Sequence, residues 1–245
     1  MAIFRMKIAG AVAEVHSLFE STRDYCKAYL TEDSPDFTVT VTEQMLTFEQ
    51  NFLLKEALEE GFKVRRFTDP FLERAAIQRA FAEYLFDRDV LLLHGSLVAV
   101  DGDGFLFCAR SGTGKSTHTR YWREVFGSRA VMVNDDKPFF AVTDRGVLAY
   151  GAPWSGKHGL DANVCVPMKG ICLLERGSEN RIRRAEKDEL LSMLTAQGCR
   201  PLDPGKQGRY YALAERFVSL VPLWHMSCTK DPEAARIAYG AMTAK

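Results

Sequence analysis

Residues 105–120 read FLFCARSGTGKSTHTR and combine residue types that bind phosphate groups. An apolar run suited to a buried strand leads into a glycine-rich turn, and residues that can begin a helix follow it. Such a turn points several backbone N–H groups and the positive end of the helix dipole at one anion. We therefore predict a phosphate-binding loop whose nucleotide contacts come from Ser111, Gly112, Thr113, Gly114, Lys115, Ser116 and Thr117.

Each residue type in this loop has its own chemical reason. Gly112 and Gly114 let the backbone approach the ligand with positive φ, and Lys115 can reach the outer phosphates. The hydroxyl of Ser116 can bind Mg2+. Ala109 departs from the pattern G-x-x-x-x-G-K-[ST], which has glycine there, and its methyl group could strain a turn that needs positive φ. A chance match in an ordinary strand–loop–helix is the alternative, and the flanking elements and a downstream acidic pair weigh against it.

That acidic pair is Asp135 and Asp136, which follow the apolar run 130–133. A carboxylate at the end of such a strand can hold Mg2+ directly or through water. Adjacent carboxylates also raise the pKa of one of the two, so that it can accept a proton from an attacking hydroxyl. One of the two carboxylates would then hold the metal, and the other would accept the proton. An acidic turn that caps a loop is the alternative.

His94 ends the apolar run 91–93 and precedes Gly95. It faces the phosphates if its strand lies beside the strand of the glycine-rich loop. A lone histidine is as often structural, so both interpretations of His94 stay open at this point.

Residues 91–136 resemble the catalytic core of HPr kinase/phosphorylase and, more distantly, that of phosphoenolpyruvate carboxykinase. The likeness rests on His94-Gly95, the turn at 101–104, SGTGKST at 111–117 and Asp135-Asp136. It implies a mixed-sheet P-loop core that uses ATP and Mg2+. It also implies that His94 lies at the phosphate or metal site and that Lys115 binds the β- and γ-phosphates. By the same resemblance Ser116 binds the metal, and the two aspartates supply metal binding and proton transfer.

The sequence departs from both families downstream. The EIRGLGI stretch of the kinase/phosphorylase is not found, and residues 151–157 read GAPWSGK instead. The segment before His94 is too short for the oxaloacetate-binding half of the carboxykinase. The chain is most similar to small HPr-kinase-like proteins with a PWSGK loop, some of which phosphorylate serine in ribosomally made peptides.

The PWSGK loop is therefore expected to contact the acceptor or the γ-phosphate. Lys157 could place a cation where charge develops on the transferring group, and Trp154 could form a wall of the site. A solvated Lys157 and a packed Trp154 are the alternatives. Arg110 and Arg176 are further candidate phosphate ligands.

Composition limits the classes of partner. The 32 basic and 32 acidic residues balance, so the charge does not predict a nucleic-acid or membrane partner, and Arg181, Arg183 and Arg184 are expected on a solvated face. The six cysteines are scattered without a C-x-x-C pair, and no apolar stretch is long enough to span a bilayer. We expect a reduced, cytoplasmic protein.

The remaining pattern predicts an α/β fold with a small N-terminal α+β module at 1–65 and a mixed-sheet P-loop core at 66–245. The D-G-D-G turn at 101–104 joins two apolar runs, which favours an antiparallel strand pair within that core. Helices are predicted at 43–60, 71–86, 116–126, 186–197 and 206–220, with Tyr211, Leu213 and Phe217 inward in the last of these.

The leading functional hypothesis is an ATP- and Mg2+-dependent kinase that acts on a serine hydroxyl of a small protein or peptide. In this hypothesis Asp135 accepts the hydroxyl proton, and Asp136 holds Mg2+ together with Ser116. A catalytically silent nucleotide-binding regulatory module is an alternative, as is a phosphorylase or small-metabolite kinase. Acceptor specificity lies in loops whose geometry the sequence does not give. A homo-oligomer is also open, because the kinase/phosphorylase family assembles into hexamers.

Overall fold

The computed structural model describes residues 1–59, 61 and 66–244. The chain divides into two compact units, Met1–Tyr84 and Leu85–Lys245. Each unit has its own sheet, and the fold is a mixed α/β one with a curled mixed sheet in the second unit.

The N-terminal unit combines a three-stranded sheet with helices. Its elements are β1 Ala2–Ile8, β2 Ala11–Ser17, α1 Glu20–Tyr25, β3 Phe37–Thr40, α2 Glu43–Glu59 and α3 Asp69–Phe86, whose last two residues belong to the second unit. β2 pairs antiparallel with β1 and parallel with β3. The helix predicted at 43–60 is present to Glu59, and residue 60 lies outside the described residues.

Helix α3 belongs mostly to this unit, although the sequence assigned it to the core. Phe37 of β3 stacks on Tyr84 with ring centroids 4.0 Å apart and meets Phe81 edge-on at 5.1 Å. The buried carboxylate of Glu73 on α3 accepts hydrogen bonds from the N–H of Phe19 (3.3 Å) and from the hydroxyl of Thr22, and so joins α3 to the first turn of α1. These contacts place the division at 84/85, downstream of the 65/66 boundary predicted from the sequence.

The second unit is a nine-stranded mixed sheet covered by helices on both faces. Its strands are β4 Val90–Leu92, β5 Ser96–Val100, β6 Asp103–Cys108, β7 Ala130–Asn134, β8 Phe139–Thr143, β9 Gly146–Tyr150, β10 Cys165–Arg176, β11 Arg181–Arg184 and β12 Leu223–Cys228. The strand order is β4-β8-β9-β10-β6-β5-β7, with β12 beside β10 and β11 beside β12. The helices are α4 Lys115–Phe126, α5 Lys187–Gln197, α6 Gln207–Leu220 and α7 Glu233–Thr243.

Local turn chemistry accounts for the mixed character of the sheet. β5 and β6 pair antiparallel through Val100↔Asp103, and the hairpin turns at Asp101 (φ 53°) and Gly102 (φ 87°). The predicted antiparallel pair is thus confirmed. β10 runs parallel to β6 and β12, while its first residues pair antiparallel with β9, so that this one long strand joins the two halves of the sheet.

The core lies on both faces of this sheet. One apolar cluster includes Leu213 and Phe217 of α6, and the other includes Trp122 of α4. Tyr211, predicted to point inward, is 44% exposed, and its neighbour Tyr210 is fully buried instead. The periodicity located the helix and two of its three predicted inward residues, Leu213 and Phe217, and only the prediction for Tyr211 is wrong.

Three further details concern the edge strand, the last helix and the cysteines. Arg181, Arg183 and Arg184 are exposed as expected, but they belong to the edge strand β11, whose charged side chains suit an open edge. Pro232 is the N-cap of α7. All six cysteines are free thiols. None of the helices within residues 1–59, 61 and 66–244 has both the length and the apolar character needed to cross a membrane.

Candidate functional site

The glycine loop, residues 109–114, connects β6 to the first turn of α4. The buried residues of β6 fix its start, and Gly114 is the N-cap of α4. Gly112 (φ 76°) and Gly114 (φ 123°) occupy backbone regions that glycine tolerates best. Ala109 is not among the residues with positive φ, so its methyl group causes none of the strain that the departure from the pattern suggested.

Lys115 turns back over this loop. Its Nζ donates to the carbonyl oxygen of Ala109 at 3.0 Å, and the residue is buried. Burial lowers the pKa of Lys115 below its usual value, while the negative charges of Asp136 and Asp135 oppose this shift. The lysine therefore lies close enough to both carboxylates to interact with them electrostatically.

A buried chain of hydroxyl groups connects Asp135 to α4. The Oγ of Ser96 on β5 donates to Oδ1 of Asp135 at 2.6 Å and lies 2.8 Å from Oγ1 of Thr119 on α4. All three residues are buried. Because β7 pairs with β5, the last residues of β7 come to lie beside the first residue of β5. Neither Ser96 nor Thr119 could be identified from the sequence, because a hydroxyl residue within a strand or helix has no distinctive pattern.

His94 and Asp136 form a second pair at the same place. Nε2 of His94 lies 3.1 Å from Oδ1 of Asp136, and the N–H of Gly95 donates to the carbonyl oxygen of Asp136 at 3.0 Å. Burial lowers the pKa of His94, although the hydrogen bond with Asp136 opposes the shift. Burial alone would raise the pKa of the Asp136 carboxyl, but His94 and the positive charge of Lys137 lower it below its usual value.

Asn134 sets the turn that presents the two aspartates. It is fully buried, and its Oδ1 accepts the N–H groups of Asp136 (2.8 Å) and Lys137 (2.6 Å). Its Nδ2 donates to the carbonyl oxygens of Ala152 (2.6 Å) and Trp154 (3.4 Å). One side chain therefore joins the end of β7 to the loop that contains the PWSGK sequence.

That loop runs past Asp136. A Cβ atom added to Gly156 would lie 3.4 Å from Cγ of Asp136, so the backbone of the loop lies directly against the carboxylate. Lys157 follows in a one-turn 3₁₀ helix and is exposed. Trp154 is buried, and its ring centroid lies 6.2 Å from that of Phe139. This is the packed Trp154 that was the alternative to a wall of the site. Oγ of Ser155 donates to Oδ2 of Asp161 at 2.6 Å and fastens the loop.

The oxygen donors near the loop are of the kind that Mg2+ prefers, namely carboxylates and the hydroxyl of Ser116. Among residues 1–59, 61 and 66–244 no three or more His, Cys, Asp or Glu side chains are grouped as a metal site.

Comparison with known proteins adds little detail. No protein-family model matches the chain, and a search of curated proteins finds no match. Among solved structures the chain is similar to the HPr(Ser) kinase/phosphatase from Coxiella burnetii, with a TM-score of 0.36 and 10% sequence identity. The match covers 62% of this chain and 99% of that one. At this identity and TM-score the likeness carries no argument about activity or substrate.

Proposed function

We propose that the protein is an ATP- and Mg2+-dependent phosphotransferase that transfers the γ-phosphoryl group to a serine hydroxyl of a small protein or peptide. One observation carries the proposal: a buried lysine begins a helix after a glycine loop, and the same helix is joined through Thr119 and Ser96 to the buried Asp135, just after a nearby strand. Catalysis of phosphoryl transfer needs little more than such positioning and charge neutralisation.

In this proposal the glycine loop and Lys115 bind the phosphates of ATP. Ser116 and Asp136 hold Mg2+, which when bound neutralises charge on the β- and γ-phosphates. Asp135 accepts the proton of the acceptor hydroxyl as its oxygen bonds to the γ-phosphorus and the bond to ADP breaks. His94 and Lys157 are assigned to the charge on the moving phosphoryl group.

The acceptor class rests on the resemblance of residues 151–157 to the PWSGK loop of peptide kinases. The contacts of Asn134 and Gly156 support it, because they hold that loop against Asp136. Peptides encoded beside the gene are the first acceptors to test.

Calorimetric titration of ATP with and without Mg2+ tests the nucleotide site. We expect binding that needs Mg2+ and that falls about 10- to 100-fold in Lys115→Ala, because a charged donor to phosphate is lost. Lys169→Ala is the matched control, since Lys169 is an exposed lysine on β10 that faces Asp103. Absence of ATP binding by the wild type under all conditions would refute the proposal.

Single-turnover transfer from labelled ATP separates the roles of the two aspartates. Asp135→Asn should abolish transfer and leave the affinity for Mg2+–ATP unchanged, whereas Asp136→Asn should weaken the Mg2+ dependence of binding. If the two variants exchange these behaviours, the roles of the aspartates are exchanged. ATP binding without transfer to any hydroxyl compound would instead favour a nucleotide-binding regulatory module.

A further inference from the structure

Arg176 is the last residue of β10, and its side chain reaches the glycine loop. β6 and β10 are parallel neighbours, so their carboxyl ends lie at the same edge of the sheet. From there Nε of Arg176 donates to the carbonyl oxygen of Thr113 at 3.2 Å, and Nη2 donates to that of Gly112 at 2.5 Å. The two donors of one planar guanidinium thus hold two consecutive carbonyl groups.

Holding these carbonyl groups also sets the direction of the N–H groups that follow them. In a planar trans peptide the C=O of one residue points opposite to the N–H of the next. The bond to Gly112 therefore directs the N–H of Thr113 away from Arg176, where it donates to the carbonyl oxygen of Arg110 at 3.2 Å. The bond to the carbonyl group of Thr113 directs the N–H of Gly114 away from Arg176 as well.

Without such a restraint these peptide groups would rotate easily. Gly112 and Gly114 flank them, and glycine passes between backbone regions at little steric cost. A loop that binds an anion through its N–H groups must keep them turned to one side before the ligand arrives, because ordering them on binding would cost affinity.

We propose that Arg176 is a positioning residue that clamps the outer carbonyl groups of the glycine loop, and that it is not a phosphate ligand. The clamp gives the loop its anion-binding shape in the absence of ligand. Lysine cannot replace it fully, because a single ammonium group lacks the planar fork that bonds two acceptors at once. The identity of the loop's ligand as a nucleotide rests on the proposed function, whereas the clamp itself does not.

Hydrogen exchange of the ligand-free protein tests the clamp without reference to any nucleotide. We expect faster amide exchange at residues 110–116 in Arg176→Met, an intermediate effect in Arg176→Lys, and no change at residues 119–126 of α4. Arg181→Met is the matched control, because it removes the same charge from an exposed arginine of β11. Exchange at 110–116 that is the same in Arg176→Met and the wild type would overturn the proposal.

Nucleotide affinity separates a clamp from a direct phosphate contact. A clamp shapes the whole loop, so Arg176→Met should lower the affinity for ATP and the affinity for ADP by the same factor. We expect about a tenfold decrease for the loss of two exposed hydrogen bonds. A loss confined to ATP would mean that Arg176 binds the γ-phosphate, and the clamp would be wrong. If the wild type bound neither nucleotide, the proposed function would fail while the exchange experiment still decided the clamp.

Discussion

His118 lies on α4, one turn after Lys115, and is buried against β6. Its ring meets that of Phe107 edge-on at 4.6 Å, and its Nε2 accepts a hydrogen bond from Nε1 of Trp122 at 3.0 Å. Because the indole nitrogen is only a donor, this bond requires the neutral imidazole. Burial lowers the pKa of His118 to about 4.

The folded state should therefore lose stability in acid through this residue. The unfolded chain takes up the proton near pH 6.5, whereas the folded chain resists it until about pH 4, so the contribution is present above pH 6.5 and lost between these values. The full loss is about 3 kcal/mol. We expect His118→Gln, which keeps an acceptor for Trp122 but does not titrate, to be less sensitive to acid. Urea unfolding of both proteins at pH 7 and pH 4.5 measures this difference, and equal pH slopes would contradict it.

Single residues were predictable where chemistry and spacing coincide. Lys115 stands out by its glycine neighbours, and Asp135 with Asp136 stands out as a pair after an apolar run. Ser96 and Thr119 could not be found, because their importance arises only from pairing between β5 and β7 and from the packing of α4. Their hydrogen bonds depend on contacts between distant parts of the chain.

Among the elements, the end of β7 packs closely against the loop that contains the PWSGK sequence, and the backbone atoms approach most tightly at Gly151. The N–H of Ala162 donates to the carbonyl oxygen of Val133, and the N–H of Gly151 donates to that of Val164, each at 3.1 Å. A Cβ atom on Gly151 would lie 1.9 Å from the oxygen of Ala162 and 2.8 Å from that of Val133. Both obstacles are backbone atoms, which cannot rotate away as a side chain can.

Gly151→Ala should therefore destabilise the protein by about 3 kcal/mol or more, since β7 and the loop must separate. Gly240→Ala is the matched control: it lies inside α7 with nothing within 4 Å of an added Cβ atom, and it should stabilise by about 0.5–1 kcal/mol. Thermal unfolding of the two variants measures whether each is less or more stable than the wild type. A Gly151→Ala protein as stable as the wild type would show that the loop does not pack against β7.

Most elements were predictable because their signals are local. The hairpin β5–β6 follows from turn residues between two apolar runs, and it is confirmed. β11 was missed because an edge strand of alternating charged residues has no apolar face to reveal it. The unit boundary was displaced because the contacts of Phe37 with α3 join residues more than forty positions apart.

At the scale of the whole molecule, the chemistry is confined to one of the two units. Every residue assigned to the candidate site, from His94 to Lys157, belongs to Leu85–Lys245, and this unit has apolar clusters on both faces of its own sheet. A ligand stabilises the cooperative unit that contains its site, by about 2.7 kcal/mol at a concentration 100 times its Kd. None of the residues assigned to the candidate site belongs to Met1–Tyr84.

Saturating Mg2+–ATP should therefore slow amide exchange within residues 85–244 and leave exchange within residues 1–59 unchanged. Hydrogen exchange of the full chain with and without the nucleotide measures this directly, and Lys115→Ala at the same nucleotide concentration is the control that should show no protection. Protection of the N-terminal unit as well would contradict the assignment of the site to residues 85–244. It would mean that nucleotide binding also stabilises a unit to which no site residue is assigned.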